Sequence, residues 1–149
     1  MRKYKLIKSD VPGLFRVVAT RSFSNINRGT MGGYVDGEKN LSHEGNAWVY
    51  GDAQVSGNAK VSGNALVYDN AQVYGDAQVY GDAIATSSVT NLIMRPYSIS
   101  ITDNHVQVEC ELLRKSHLRR DIKVAAAKYN VDKKTFKRYK KIISALLEK

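Results

Sequence analysis

A six-residue period over residues 45–84 constrains this chain more than any other feature. The segments read GNAWVY, GDAQVS, GNAKVS, GNALVY, DNAQVY, GDAQVY and GDAI. Alanine recurs at Ala47, Ala53, Ala59, Ala65, Ala71, Ala77 and Ala83, and valine follows two positions behind, from Val49 to Val79. A period of this kind marks a repeat architecture, in which each unit buries its apolar side only against its neighbours. Residues two apart on an extended strand point to the same side, so Ala and Val form one inward row. The pair before each Ala is Gly-Asn, Gly-Asp or, once, Asp69-Asn70. These residues accept the positive φ of tight corners. Short strands alternating with corners wind into a prism, a β-helix built of hexapeptides with Val and Ala stacked inside.

The repeat V-x-G-[ND]-A-x resembles that of left-handed parallel β-helix proteins, in which three hexads make one triangular coil. The resemblance covers roughly residues 29–86. It implies the fold, including a left-handed crossover that is uncommon for parallel strands, and is nearly silent on function. Upstream, RSFSNINRGTMGGYVDGEKNLSHE keeps the six-residue step loosely. Val35, Leu41 and Ala47 are expected to continue the Ala column backwards, and Met31, Gly37 and His43 the Val column, as an irregular first coil. The run from Gly32 into NLSHEGN also resembles the start of small hexapeptide-repeat proteins encoded by phages and prophages, over roughly residues 1–86. That likeness implies a phage origin and carries over no biochemical role.

With eighteen residues per coil, the outward residue between each Ala and Val falls into three columns. Gln54 stacks on Gln72, Lys60 on Gln78, and Trp48 on Leu66 and Ile84. The last column is a contiguous apolar stripe, which water seldom covers. Either flanking segments of the chain or other subunits cover it. The resemblance implies face-to-face packing as trimers, and self-association as a trimer or dimer is expected. Tyr50, Tyr68, Tyr74 and Tyr80 stand next to the corners, either as a surface ladder or as a flat binding surface.

Residues 1–28 read as a β-hairpin (KYKLIK and LFRVVAT around Val11-Pro12-Gly13) that caps the open N-terminal end. Residues 87–110 read as a connector and a second hairpin. In it Tyr97, Ile99 and Ile101 face one way, and Val106, Val108 and Cys110 follow the Asp103-Asn104 turn. The single cysteine, Cys110, excludes an internal disulfide and fits a buried small hydrophobe. The charged start, MRKYKLIKSD, and the lack of any apolar run of spanning length lead us to expect no signal peptide, no membrane partner and a cytoplasmic setting.

Many left-handed β-helix proteins are acyltransferases with a catalytic His, and one branch binds zinc through three His. Here only His43 falls near the repeats, while His105 and His117 lie beyond them. A three-His zinc site lacks its ligands, and a lone His in a capping coil reads as structural. We expect no enzyme activity, no metal and no cofactor.

Charge points elsewhere. Residues 112–149 hold 13 Lys and Arg against Asp121, Asp132 and Glu148, whereas the preceding 111 residues are close to neutral. Such asymmetry suggests a scaffold carrying a module for a polyanion. From Glu111 the period changes from two to about 3.6. Residues 122–129, N-capped by Asp121, and 133–147, N-capped by Asp132, read as two helices. The stretch AAAKYNVDKKTFKRYKK resembles a helix-turn-helix over roughly residues 112–143, with Ala126 as the small residue, Asn130 at the turn, Val131 after it, and Phe136 and Tyr139 inward beside Ala125 and Tyr129. The preceding helix, ELLRKSHL, is poorly defined. The second helix of such a motif enters the major groove. Lys133, Lys134, Lys137, Arg138 and Lys141 then face duplex DNA, and Arg119, Arg120, Lys123 and Lys128 contact its backbone. The expected fold is mainly β, a left-handed parallel β-helix with flanking hairpins and a small C-terminal α-helical module over residues 111–149. The expected function is non-enzymatic binding of duplex DNA. The competing expectation is a phage protein that binds and blocks a host protein such as a defence complex.

Overall fold

Each hexad contributes one two-residue strand. The chain runs β1 (Tyr4–Lys8), β2 (Phe15–Ala19), β3 (Met31–Val35), a 3-10 turn at Glu38–Asn40, then β4 (Trp48–Val49), β5 (Gln54–Val55), β6 (Lys60–Val61), β7 (Leu66–Val67), β8 (Gln72–Val73), β9 (Gln78–Val79) and β10 (Ile84–Ala85). There follow β11 (Thr90–Met94), β12 (Tyr97–Ile101), β13 (His105–Val108), β14 (Glu111–Arg114) and α1 (Lys133–Leu147). This computed structural model describes residues 2–86, 90–94, 97–102, 105–108, 111–114, 116, 123–124, 127–128 and 131–147. Met1–Leu112 and Leu113–Lys149 form two units, and the division falls inside β14.

The short strands stack in parallel on three faces. On the first, Trp48 pairs with Leu66 and Leu66 with Ile84. On the second, Gln54 pairs with Gln72, and on the third, Lys60 pairs with Gln78. The inward Ala and Val residues of these coils are at most 1% exposed. The columns expected from the eighteen-residue spacing are therefore the paired columns of a β-solenoid.

The corners follow the same logic. Gly63 has φ +68°, and a Cβ there would lie 2.9 Å from the Gly81 backbone nitrogen. Asp69 takes the glycine position of one corner at φ +54°. Its stacking partner Gly51 has more room, with the nearest atom, Asp69 O, at 3.7 Å from such a Cβ. The next residue of each corner builds side-chain ladders. Asn46 Nδ2 donates to Asn64 Oδ1, Asn64 Nδ2 to Asp82 Oδ1 and Asn58 Nδ2 to Asp76 Oδ1, each at 3.1 Å.

The first coil differs from the expected register. Val35 pairs with Val55 and Leu41 bridges to Val61, twenty residues away rather than eighteen. Val35 and Leu41 thus stand in the Val column, not the Ala column, and Met31 is 57% exposed. Two extra residues lie in the corner after Leu41. Ser42 N–H still reaches Val61 O, but Asn46 N–H already reaches Gly63 O. His43 sits in this insertion and is not an inward Val-column residue. An insertion at a corner leaves strand pairing intact, so apolar spacing alone did not reveal it.

The N-terminal hairpin forms as expected. Leu14 N–H closes the turn onto Val11 O at 3.2 Å with Gly13 at φ +77°, as a Pro-Gly type II turn requires. β2 pairs antiparallel with β3, which continues into the second solenoid face. After β10 the chain forms a four-stranded sheet in the order β11-β12-β13-β14. The expected hairpin is its centre, with Ile99 opposite Val108 and Ile101 opposite Val106. The Asp103-Asn104 turn and Cys110 lie outside the described residues. Glu111–Arg114 is a strand rather than the start of a helix. Glu, Leu and Arg are good helix formers, but sheet pairing overrides so short a run.

We expect Gly63→Ala to destabilise the protein by about 1–3 kcal/mol, because it combines a left-handed backbone with a backbone clash. Gly51→Asn, in the roomier corner, should cost less than about 1 kcal/mol. Chemical denaturation of the two variants checks this, and equal losses would rule out stacking distance as the cause.

Candidate nucleic-acid interface

α1 is a fifteen-residue helix. Asp132 caps it: its Oδ1 accepts the Lys134 N–H at 3.0 Å, and its carbonyl accepts the Phe136 N–H at 2.9 Å. Lys133, Lys134, Lys137, Arg138, Lys140 and Lys141 lie on this helix, and no acid lies within it. At 100° per residue these positions span an arc of about 160°, while Phe136, Tyr139, Ile142, Ile143, Leu146 and Leu147 take the remainder. Lys133, Lys134, Lys137, Lys140 and Lys141 are exposed, and none of them forms an ion pair with a described residue. Lys133 and Lys134 occupy the first turn, where the partial positive charge of the helix N-terminus disfavours cations. Helix stability does not account for their position, whereas an anion at that end would be favoured.

The other expected contacts are only partly placed. Lys123 and Lys128 are exposed on helical residues. Arg119, Arg120 and the Arg138 side chain lie outside the described residues, as do Asp121, Ala125, Ala126, Tyr129 and Asn130 of the expected first helix and turn. Val131, after that turn, is half-buried.

On the solenoid, the Trp48–Leu66–Ile84 column exists, but its first member is fully buried. The chain's own N-terminal segment lies against it. The Phe23 ring meets the Trp48 ring edge-on at 5.4 Å. A Cβ at Gly32 would come within 2.9 Å of Trp48 Cζ2, so only glycine lets β3 pass this closely. Leu66 and Ile84 are half-buried. Beside this column Tyr50 stacks on Tyr68 with ring centroids 4.5 Å apart, and the Tyr50 hydroxyl donates to Asn25 Oδ1 at 3.4 Å.

His43 belongs to a capping cluster that sequence reading did not foresee. Its ring stacks on Tyr4 at 4.1 Å, and its Nδ1 accepts the Lys3 N–H at 3.3 Å. Burial holds its pKa below the usual histidine value. Nδ1 is thereby the unprotonated nitrogen, and the proton sits on Nε2, a buried atom with no acceptor among the described residues. Beside it Lys3, fully buried, donates from Nζ to Ala47 O at 2.8 Å and to Glu44 O and Gly45 O at 3.5 Å. Burial, with the nearby Arg21 charge, lowers its pKa to about 8. Tyr4 donates to Leu41 O at 2.6 Å, and burial, then the Glu38 charge, pushes its pKa up to about 12. A groove of about 350 Å³ opens next to His43 on the third face, lined by Ser42, Lys60, Ser62 and Gln78 among others. Among the described residues no group of His, Cys, Asp and Glu is arranged to hold a metal ion.

Comparison with known proteins speaks to the repeat alone. The YdcK Beta solenoid repeat matches residues 53–69, 59–75 and 71–87. These windows are offset by one and two hexads. No curated protein matches the chain. Among the described residues, no helix is long and apolar enough to cross a membrane.

The Lys3–Tyr4 pair makes stability depend on alkaline pH. The folded pKa of Lys3, about 8, lies below the free value of 10.5. Between these values the unfolded chain binds more protons at Lys3 than the folded one does, so this group adds stability as pH rises. The folded pKa of Tyr4, about 12, lies above the free value of 10.0. Above pH 10 the folded chain therefore binds more protons at Tyr4, and stability falls. Thermal melts should show wild type gaining on Lys3→Met from pH 8 to 10, and losing ground to Tyr4→Phe above pH 10. A difference in Tm that does not change with pH would refute the assignment. Separately, Asp132→Ala should cost α1 about 1 kcal/mol, read as lost helical circular dichroism, with Asp132→Asn close to wild type.

Proposed function

We propose that this protein is a non-enzymatic scaffold that binds duplex DNA through its basic C-terminal helices, with α1 as the recognition helix of a helix-turn-helix-like module. The observation that carries this reading is α1 itself: an acid-free helix with exposed lysines crowded toward an N-terminal turn that disfavours them. Lys133, Lys134, Lys137, Arg138 and Lys141 contact base edges or flanking phosphates, and Arg119, Arg120, Lys123 and Lys128 hold the backbone. On this reading the β-solenoid is left-handed, phage-encoded and cytoplasmic. It self-associates as a trimer or dimer and so raises the effective concentration of small modules that are weak singly. Occupancy of the duplex then regulates or protects that DNA.

Fluorescence anisotropy with random and genomic duplexes over a salt series tests the proposal. Affinity should fall linearly on a log–log plot against salt, with a slope near 0.9 per phosphate neutralised. Lys137→Ala with Arg138→Ala should weaken binding and make the slope shallower by about 1 for each phosphate no longer neutralised. No binding at low salt, or binding indifferent to these substitutions, refutes it. Under either result, capture of a defined host protein through the same lysines would support the competing expectation.

A further inference from the structure

The near-neutral balance of the first 111 residues hides a strong separation of charge. Residues 1–28 hold seven Lys and Arg against one acid, Asp10, whereas residues 29–86 hold two Lys against seven acids. Within the first group the structure sorts the cations by use. Arg2 pairs with Glu38. Arg16 pairs with Asp52 at 3.7 Å and lies 4.3 Å from the centre of the Tyr34 ring. Lys3 is buried in the cap. Lys5, Lys8, Arg21 and Arg28 remain exposed and form no ion pair with a described residue. The strand register places Lys5 beside Val18, which in turn pairs with Met31, and sets Lys8 opposite Phe15 at the hairpin tip on the other face, so the two flank the exposed edge of β1.

We infer that this N-terminal β-hairpin and the loop after it form a second contact surface for the phosphate backbone of duplex DNA, carried by Lys5, Lys8, Arg21 and Arg28. The inference rests on the proposed DNA reading and extends it to a region outside the helical module. Four exposed cations without ion pairs to described residues suit a polyphosphate, and the acid-rich solenoid beside them repels one, which confines the contact to the hairpin. The exposed apolar residues of this region do not gather into a lipid-facing patch. Ile7 pairs across from Arg16, Phe15 sits at the tip beside Lys8, and Met31 lies in the row of Val18 and Lys5. No base-reading geometry is implied, so the contact is independent of sequence.

The test uses the full chain. Lys5→Glu, Lys8→Glu and Arg28→Glu are combined in one variant, and Lys133→Glu with Lys137→Glu in a second, each titrated with a labelled duplex over salt. The hairpin variant should lower affinity at low salt by about tenfold or more and reduce the salt slope by about 2 to 3. Lysine acetylation footprinting of the wild-type chain needs no substitution, and it should show Lys5 and Lys8 protected by duplex. An unchanged slope with unprotected Lys5 and Lys8 overturns the inference. If that result comes with loss of binding in the helix variant, the proposed function stands without it. If only the hairpin variant loses binding, the hairpin contact stands and the recognition role of α1 fails. No binding by the wild-type chain removes both. Protection of Lys5 and Lys8 by anionic vesicles but not by duplex also overturns the inference, in favour of a lipid surface.

Discussion

The backbone ladder between coils is the interaction on which this structure depends, and the ladder must end somewhere. Neighbouring coils are joined by bonds such as Asn46 N–H to Gly63 O and Asn64 N–H to Gly81 O at the corners and Trp48 N–H to Ala65 O at the strands. Carbonyls such as Ala47 O, Gly57 O and Ala59 O of the first repeat coil, and N–H groups such as that of Gln78 in the last, therefore need partners from outside the repeats. Buried backbone groups without partners are costly. The chain answers with side chains of matching polarity. At the start of the repeats Lys3 supplies an ammonium to Ala47 O, and Asn40 supplies its amide to Gly57 O and Ala59 O at 3.1 and 2.9 Å. The Tyr34 N–H fills the remaining corner at Ala53 O. At the other end Ser100 Oγ of β12 accepts the Gln78 N–H at 3.3 Å. Where an N–H faces the start of the repeats an acceptor is supplied instead: Asp36 Oδ2 accepts the Gly57 N–H at 2.6 Å.

The same constraint explains where bulk is buried. Inside the coils the core is Ala and Val, because the bore admits little else. The largest fully buried side chains are Trp48, Tyr4, Lys3 and Leu41, all at the N-terminal end. Burial of small side chains contributes modestly per residue, so the middle coils rely on regular stacking. The corner ladders add to it with a definite order. Asn64 stands between Asn46 and Asp82, and Asn58 precedes Asp76, so an amide donates onto each carboxylate. Two stacked Asp residues would repel at that spacing. In the third corner the order is reversed, Asp52 before Asn70, and there the carboxylate turns to Arg16.

Much of this was legible because a repeat turns spacing into geometry. The six-residue step gave the corners, the inward pairs and the three outward columns, and the pairs Trp48–Leu66, Gln54–Gln72 and Lys60–Gln78 follow from it directly. What failed were places where the period does not apply. The insertion around His43 keeps apolar residues at plausible steps while shifting their column, and only strand pairing exposes the shift. The edge strands Thr90–Met94 and Glu111–Arg114 carry little alternation of their own and exist through pairing with neighbours. Asn40 and Lys3 read locally as polar surface residues, yet both are buried because the end of a ladder needs donors. In the candidate interface, the composition of α1 and its Asp132 cap were legible. The basic character of residues 1–28 was also in the sequence, but averaging it with the acidic solenoid concealed it.

That averaging matters for how such a scaffold can work. Charge on a rigid solenoid is fixed in place, so acids at its corners cannot fold back onto cations elsewhere in the repeat. Within the first coil Lys39 pairs only locally, with Asp36 at 3.7 Å, and from the N-terminal segment Arg2 and Arg16 reach Glu38 and Asp52. Lys5, Lys8, Arg21 and Arg28, and the exposed lysines of α1, form no ion pair with a described residue. A polyanion approaching this chain meets repulsion along the repeat and attraction from the basic segments that flank it in sequence. On the proposed DNA-binding reading, the solenoid would disfavour contact along its length, which a neutral repeat of the same shape would not do.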